Sequence, residues 1–125
     1  MRKTLTVSIL ALASLTLQGG KPQGPTIGIS SCGPTQGGNG CAANVPFFFA
    51  GSGYDSKKLY IIEGTSPDDL GYTYQLDLLQ PDANGNLDPE SYSVNAGTWT
   101  FDVYEINHNA TPQKKLLAST TEVFE

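Results

Sequence analysis

"TWTFDVYEI", residues 98–106, alternates without interruption. Trp99, Phe101 and Val103 fall on one side of an extended chain, and Thr100, Asp102 and Tyr104 on the other. A helix would gather its apolar residues at spacings of three and four, which this segment does not do. It reads as a strand buried on one face, with the Trp99 set inward. Working outward, the same reading gives strands at about 26–31, 45–51, 58–63, 72–79, 91–94, 98–106 and 115–124. In "VPFFFAG", residues 45–51, Val45, Phe47 and Phe49 share a face opposite Pro46, Phe48 and Ala50. Pro46 has no amide hydrogen for a ladder, so it belongs at a strand start or an edge. In "YTYQLDLL", residues 72–79, Tyr72, Tyr74, Leu76 and Leu78 oppose Thr73, Gln75 and Asp77. Gly, Pro, Asn and Asp fill the gaps, and no window of helical length shows the 3.6-residue period. The pattern predicts an all-β sandwich of about seven strands.

The chain has 125 residues and a net charge of −5. That is room for one domain of about 100 residues beyond an N-terminal segment. Arg2 and Lys3 lie in that segment, so five of the seven basic residues face all twelve acidic ones in the rest, a net −7. With no basic cluster, the chain is a poor match for nucleic acid or for an anionic membrane surface. Only 15% of residues are charged, so Ser, Thr, Asn, Gln and Gly must carry much of the surface, a style common in extracellular β proteins.

The N-terminus, "MRKTLTVSILALASLTLQGG", places Arg2 and Lys3 ahead of an uncharged run over residues 4–17. That is the order of a secretory signal, and the run is too short to span a bilayer as a helix. The alternative is an uncleaved strand or arm, because Leu5, Val7 and Ile9 alternate with Thr4, Thr6 and Ser8. Residues 1–18 are thus a signal peptide or an apolar arm, residues 19–25 a Gly/Pro linker, and 26–125 the sandwich. If the leader is removed, no stable membrane span is expected. If it is retained, residues 4–17 must add to a sheet edge, which would make the protein self-assembling.

Cys32 and Cys41 are the only cysteines, and four of the eight residues between them are glycine. Zinc needs about four ligands, and His108 is the only histidine. A disulfide fits better, since Gly33, Gly37, Gly38 and Gly40 let the chain double back. Two free thiols are the remaining alternative. A disulfide would persist only in an oxidising compartment, which points to export or to a virion surface.

Three stretches carry a resemblance. "AGTWTFDVYE" resembles the E–F corner and strand F of bacterial immunoglobulin-like and fibronectin-III-like modules. "FFFAGSGYDSKKLYIIEG" resembles their strand B, a GSGY-type turn and strand C, and "KKLLASTTEVFE" their closing strand G. The likeness covers about residues 26–125 and implies an immunoglobulin-like sandwich. Trp99 stands where the tyrosine corner of such domains has Tyr, so the hydroxyl-to-backbone bond of that corner should be missing. Phe101 and a strand-B phenylalanine sit about where antibody-type domains carry their inter-sheet cysteines. The Cys32–Cys41 bridge would instead close the A–B connection, and the chain would end within strand G with no further module.

Candidate chemistry is sparse. "PDANGNLDPE" offers Asp82, Asn84, Asn86, Asp88 and Glu90 at spacings like the start of a calcium loop. Its glycine, Gly85, comes too early, no glutamate stands at the twelfth position, and Asn84-Gly85 is itself a strong hairpin signal. A nucleophilic triad lacks parts, His108 reading as a lone loop residue. A glycosidase needs two placed carboxylates, and nothing in the sequence pairs Glu63, Asp77, Asp102 and Glu105. "NAT" at 109–111 is a glycosylation sequon only in a eukaryotic secretory pathway, and the rest of the chain looks bacterial or phage-like. Trp99 reads as core, whereas Tyr54, Tyr72 and Tyr74 are candidates for an exposed aromatic binding patch. The expectation is a non-enzymatic extracellular module, without cofactor, acting in surface binding or adhesion to a protein or glycan partner. The alternative is a phage virion decoration or structural protein with an uncleaved arm.

Overall fold

The computed structural model describes residues 24–109, 111 and 113–125. The expected leader (1–18), the linker up to residue 23 and the strand-addition segment (4–17) lie outside the described residues. Among the described residues six strands follow in order: β1 (Thr26–Ser31), β2 (Phe48–Ser52), β3 (Leu59–Thr65), β4 (Thr73–Leu79), β5 (Gly97–Ile106) and β6 (Lys114–Phe124). A single 3₁₀ turn, Pro67–Asp69, joins β3 to β4. All pairing between these strands is antiparallel. One sheet has the order β4-β3-β5-β6, and the other is the pair β1-β2. No helix among the described residues is long and apolar enough to cross a membrane.

The alternation of β5 sets the core. Trp99, Phe101 and Val103 are buried on the face towards the small sheet, joined by Tyr60 and Ile62 of β3. From the small sheet come Phe47 and Phe49, and Phe124 closes one end. The Phe101 ring lies 4.9 Å from Phe49, 5.6 Å from Phe47 and 6.1 Å from Phe124, with Trp99 stacked at 6.2 Å. Gly64, opposite Phe101 on β3, leaves room for that ring. A Cβ there would sit 3.2 Å from two ring carbons. The two sheets are therefore joined through aromatic edges and faces.

Three expectations need correction. The strand over 91–94 is reduced to a single bridge, Tyr92 to Phe47, whose backbones exchange two hydrogen bonds of 2.7 and 3.0 Å. Beyond it the Asn44 amide still donates to the Val94 carbonyl at 2.8 Å, but Asn44 turns the chain at φ 60°, so the pairing does not continue as a ladder. The same turn takes Val45 out of the strand and leaves it exposed, apart from Phe47 and Phe49. On β4 a bulge at Leu76 breaks the expected alternation. Leu76 and Leu79 pack on the core while Leu78 faces solvent, because one extra residue flips every later side chain. A matching register shift at Leu117 of β6 turns Leu116 outward. Trp99, which has no hydroxyl, is tied to the backbone in another way: its indole Nε1 donates to the Asn95 carbonyl at 2.9 Å.

The sulfurs of Cys32 and Cys41 are bonded, across a Cα separation of 5.4 Å. The bridge is more than a loop staple, since Cys41 is itself buried in the core. Its amide donates to Val123 and its carbonyl accepts from Glu125, so the chain after Cys41 runs parallel to the end of β6. The disulfide closes the β1–β2 connection, and the Cys41 backbone bonds tie it to the β6 edge of the large sheet.

Phe101→Ala should lower unfolding free energy by about 3–5 kcal/mol in urea titrations, the range for deleting a buried aromatic. Replacing the cystine by Cys32→Ser with Cys41→Ala should cost about 2–3 kcal/mol from loop closure. Thiol titration of the denatured, unreduced protein should find no free thiol.

Candidate functional site

The turn between β3 and β4 builds one wall of a cleft. Ser66, fully buried, caps the 3₁₀ turn by accepting from the Asp68 amide at 3.2 Å, and Pro67 starts it. Leu70 and Gly71, at φ 65° and 71°, then swing the chain back into β4. The left-handed region suits glycine and is strained for leucine. This geometry fixes two carboxylates. Asp68 accepts from the Thr98 amide at 2.9 Å, anchoring the turn to β5. Asp69 accepts from the Tyr74 hydroxyl at 2.8 Å through one oxygen and from Asn95 Nδ2 at 3.1 Å through the other.

Between this wall and the segment Ser93, Val94 and Asn95 lies a cleft of about 390 Å³. Leu76, Val94 and Trp99 make its apolar floor, while Asp69, Gln75, Ser93 and Asn95 supply polar rims. It opens beside β4, the outer strand of the large sheet. Tyr74 stands at the mouth, 41% exposed, its ring 6.0 Å from that of Trp99. The hydrogen bond to Asp69 raises the Tyr74 pKa, so the phenol stays neutral and acts as a donor. Further along β4, the Tyr92 hydroxyl donates to Asp77, and burial followed by that bond pushes the Tyr92 pKa upward. An apolar floor with a few fixed polar groups is the usual make-up of a small-ligand or side-chain pocket, and the volume lies within the usual range of about 300–1,000 Å³.

Of the three tyrosines expected in an exposed patch, Tyr54 does not belong. It is 6% exposed, packed edge-on against Tyr60 at 5.0 Å, and its hydroxyl donates to the Thr26 carbonyl at 2.7 Å. Burial, with Tyr60 adding to it, pushes its pKa up to about 12. Tyr72, 62% exposed, and Tyr74 stand on the β4 side. Asn95, Ser93 and Asp69 are not legible as a group, because they come from two segments that meet only through the fold.

The stretch 82–88 forms a tight turn with Gly85 at φ 80°. One carboxylate oxygen of Asp82 accepts from both the Asn84 and Asn86 amides at 2.9 Å, and the Asp82 amide donates to the Asn86 carbonyl. These bonds to one Asp82 oxygen hold the turn in shape. No group of three or more His, Cys, Asp or Glu suited to a metal occurs among the described residues. Leu87, the next residue, is buried and pinned to Gly51. His108 lines a shallow depression with Lys57, Lys58 and Glu105, and Lys58 pairs with Glu105 at 3.3 Å. The fold does bring together two carboxylates that the sequence left unpaired. Glu63 and Asp102 are cross-strand partners on the outer face of the large sheet. Each has its own partner, Lys114 at 2.8 Å and Ser119 at 2.6 Å.

The bond from the Asn86 amide, with the others to the same carboxylate, lowers the Asp82 pKa. A folded-state pKa below the unfolded one stabilises the protein above the ordinary carboxylate range and stops doing so as pH falls through the folded value. Asp82→Asn keeps an acceptor oxygen but no charge. Its melting temperature should lie below that of the parent at pH 7, and the gap should close towards pH 3.

No protein-family model, curated protein or solved structure matches this chain, so a reading of the cleft rests on its own geometry.

Proposed function

We propose that the chain is a non-enzymatic immunoglobulin-like module that binds a protein or glycan partner outside the cytoplasm. The order β4-β3-β5-β6 supports the immunoglobulin-like reading, because it has the C′-C-F-G succession, with β1 and β2 in the places of A and B. Tyr92, bridged to Phe47, occupies the place of strand E. Where antibody-type domains set an inter-sheet cystine, Phe49 and Phe101 meet edge to face. The Cys32–Cys41 bond supports an oxidising location.

One observation carries the binding role: a concave, apolar-floored cleft with polar groups held by Asp69, beside two exposed tyrosines on the β4 side. Exposed aromatics next to fixed hydrogen-bonding groups suit a partner that is part apolar and part polar, such as a sugar ring or an interfacial side chain. The catalytic alternative has less support, since the Asp69 oxygens are tied to Tyr74 and Asn95 rather than poised beside a second acid.

Labelled protein applied to immobilised glycans and immobilised extracellular proteins should find a partner that Tyr74→Ala weakens by about tenfold or more, equivalent to about 1.4 kcal/mol. The melting temperature should stay within a few degrees of the parent. A partner bound equally well by Tyr74→Ala and Asn95→Ala would place the binding surface elsewhere.

A further inference from the structure

Charge is sorted along the sandwich. The described residues include four lysines, Lys57, Lys58, Lys114 and Lys115, and no arginine. All four stand at one end of the large sheet, where Leu59, Ile106 and Lys114 lie in register. Lys58 and Lys114 are already paired there, with Glu105 and Glu63. Asp68 and Asp69 stand at the other end, in the turn that follows Thr65. The seven residues of β3 separate the two ends, about 20 Å of extended chain. That is about twice the Debye length at physiological salt, so the lysines do little to offset the Asp69 charge.

The cleft therefore has a carboxylate on its wall and no cation beside it. Lysine, arginine and histidine are all missing from its lining among the described residues. Both hydrogen-bond partners of Asp69 are neutral, the Tyr74 hydroxyl and the Asn95 amide. Asp69 is partly buried, where a charge without a counter-charge is costlier than in open water. A carboxylate has about four acceptor positions. The two donors take one on each oxygen, so each oxygen keeps another, and both are held in place.

We propose that the cleft takes a basic side chain, arginine above all, presented by a protein partner. The proposal rests on the binding role given to the cleft above and names what enters it. The methylene stem of such a side chain suits the floor of Leu76, Val94 and Trp99. A guanidinium can meet both Asp69 oxygens as a bidentate pair, which an ammonium cannot. The Tyr74 ring, tethered to the same carboxylate and 41% exposed, offers a face to the cation. The net charge of −5 adds long-range attraction towards a basic partner surface. A neutral sugar would use the polar rim and leave the charge unanswered.

Trp99 is the only tryptophan, and its indole lies in the cleft floor, so its Nε1–H resonance reports on occupancy. The full chain is titrated by NMR with three probes: acetyl-Gly-Arg-Gly-amide, the same peptide with neutral citrulline for arginine, and methyl glucoside. The arginine peptide should move the indole resonance with a dissociation constant of about 1 mM. Citrulline, equal in shape, should bind at least tenfold more weakly. Raising NaCl from about 50 to about 500 mM should weaken the arginine peptide several-fold and leave the citrulline peptide unchanged. Asp69→Asn should bring the two peptides within about twofold of each other. That variant also sets an amide against the Tyr74 or Asn95 donor, so the citrulline comparison in the parent decides by itself. Equal binding of the two peptides would overturn the proposal. So would a resonance moved by the glucoside and not by the arginine peptide, an outcome that leaves the binding role of the cleft standing. A resonance that no probe moves would overturn it as well, while the partner screen with Tyr74→Ala separately decides the reading beneath it.

Discussion

The small sheet is held to the large one by a knot of aromatic rings centred on Phe101. Among the described residues, β1 and β2 pair as strands with each other, and isolated bridges at Phe47 and Gly51 add to their sheet. A two-stranded ribbon is marginal in water by itself. Its attachment therefore depends on Phe47 and Phe49 reaching Phe101 and Phe124 across the interior. Gly64 is part of the same constraint, because β3 must carry no side chain where the Phe101 ring lies. A chain with few charges and a small core thus concentrates its apolar burial in a handful of large rings, each making edge or face contacts.

The cleft inherits its shape from that knot. Trp99 stacks on Phe101 and forms the cleft floor, and its indole hydrogen bond fixes the Asn95 backbone. The Asn95 side chain then meets Asp69, which also receives Tyr74. Core packing and cleft geometry are coupled through one residue. Gly97 adds to the coupling. At φ 143°, it lets the chain turn close over the buried Ser66 and Asp68, and a Cβ there would meet Asp68 at 2.7 Å. The acidic turn and the start of β5 are thereby locked together at the end of the sandwich that carries the cleft.

Much of this fold is legible from periodicity, because β5 and β2 are buried on one face and alternate cleanly. Trp99, Phe101 and Val103 are core for the reason their spacing suggested, and Cys32 and Cys41 meet because glycines let a ten-residue loop close. The bulges at Leu76 and Leu117 were not legible. A single inserted residue leaves composition untouched while reversing the faces of every residue beyond it. Tyr54 was misjudged because "GSGY" looks like an exposed turn, yet its ring folds under onto Tyr60 and its hydroxyl finds the Thr26 carbonyl, 28 positions away in the chain. The cleft was invisible for a similar reason. Its walls come from residues 69, 74–76, 93–95 and 99, which are brought together only by strand pairing.

The two bulges and the carboxylate row are linked through Lys114. Cross-strand like charges such as Glu63 and Asp102 repel, and a sheet normally avoids them. Here Lys114 reaches diagonally across the face to Glu63, and its ammonium lies 4.4 Å from the centre of the Tyr104 ring. That bond raises the Lys114 pKa, keeping it charged. One side chain both offsets the carboxylate pair and lies over Tyr104, which stands in register with Leu78, Ile61 and Leu116 in an apolar row across the sheet. A surface ion pair of this kind contributes little to stability, at most about 1 kcal/mol. Its larger effect is positional: the lysine stem shelters Tyr104 and leaves the outward leucines, Leu78 and Leu116, as the exposed ends of the row. The bulges that shift those leucines thus decide which part of this face meets solvent, and the lysine decides which part does not.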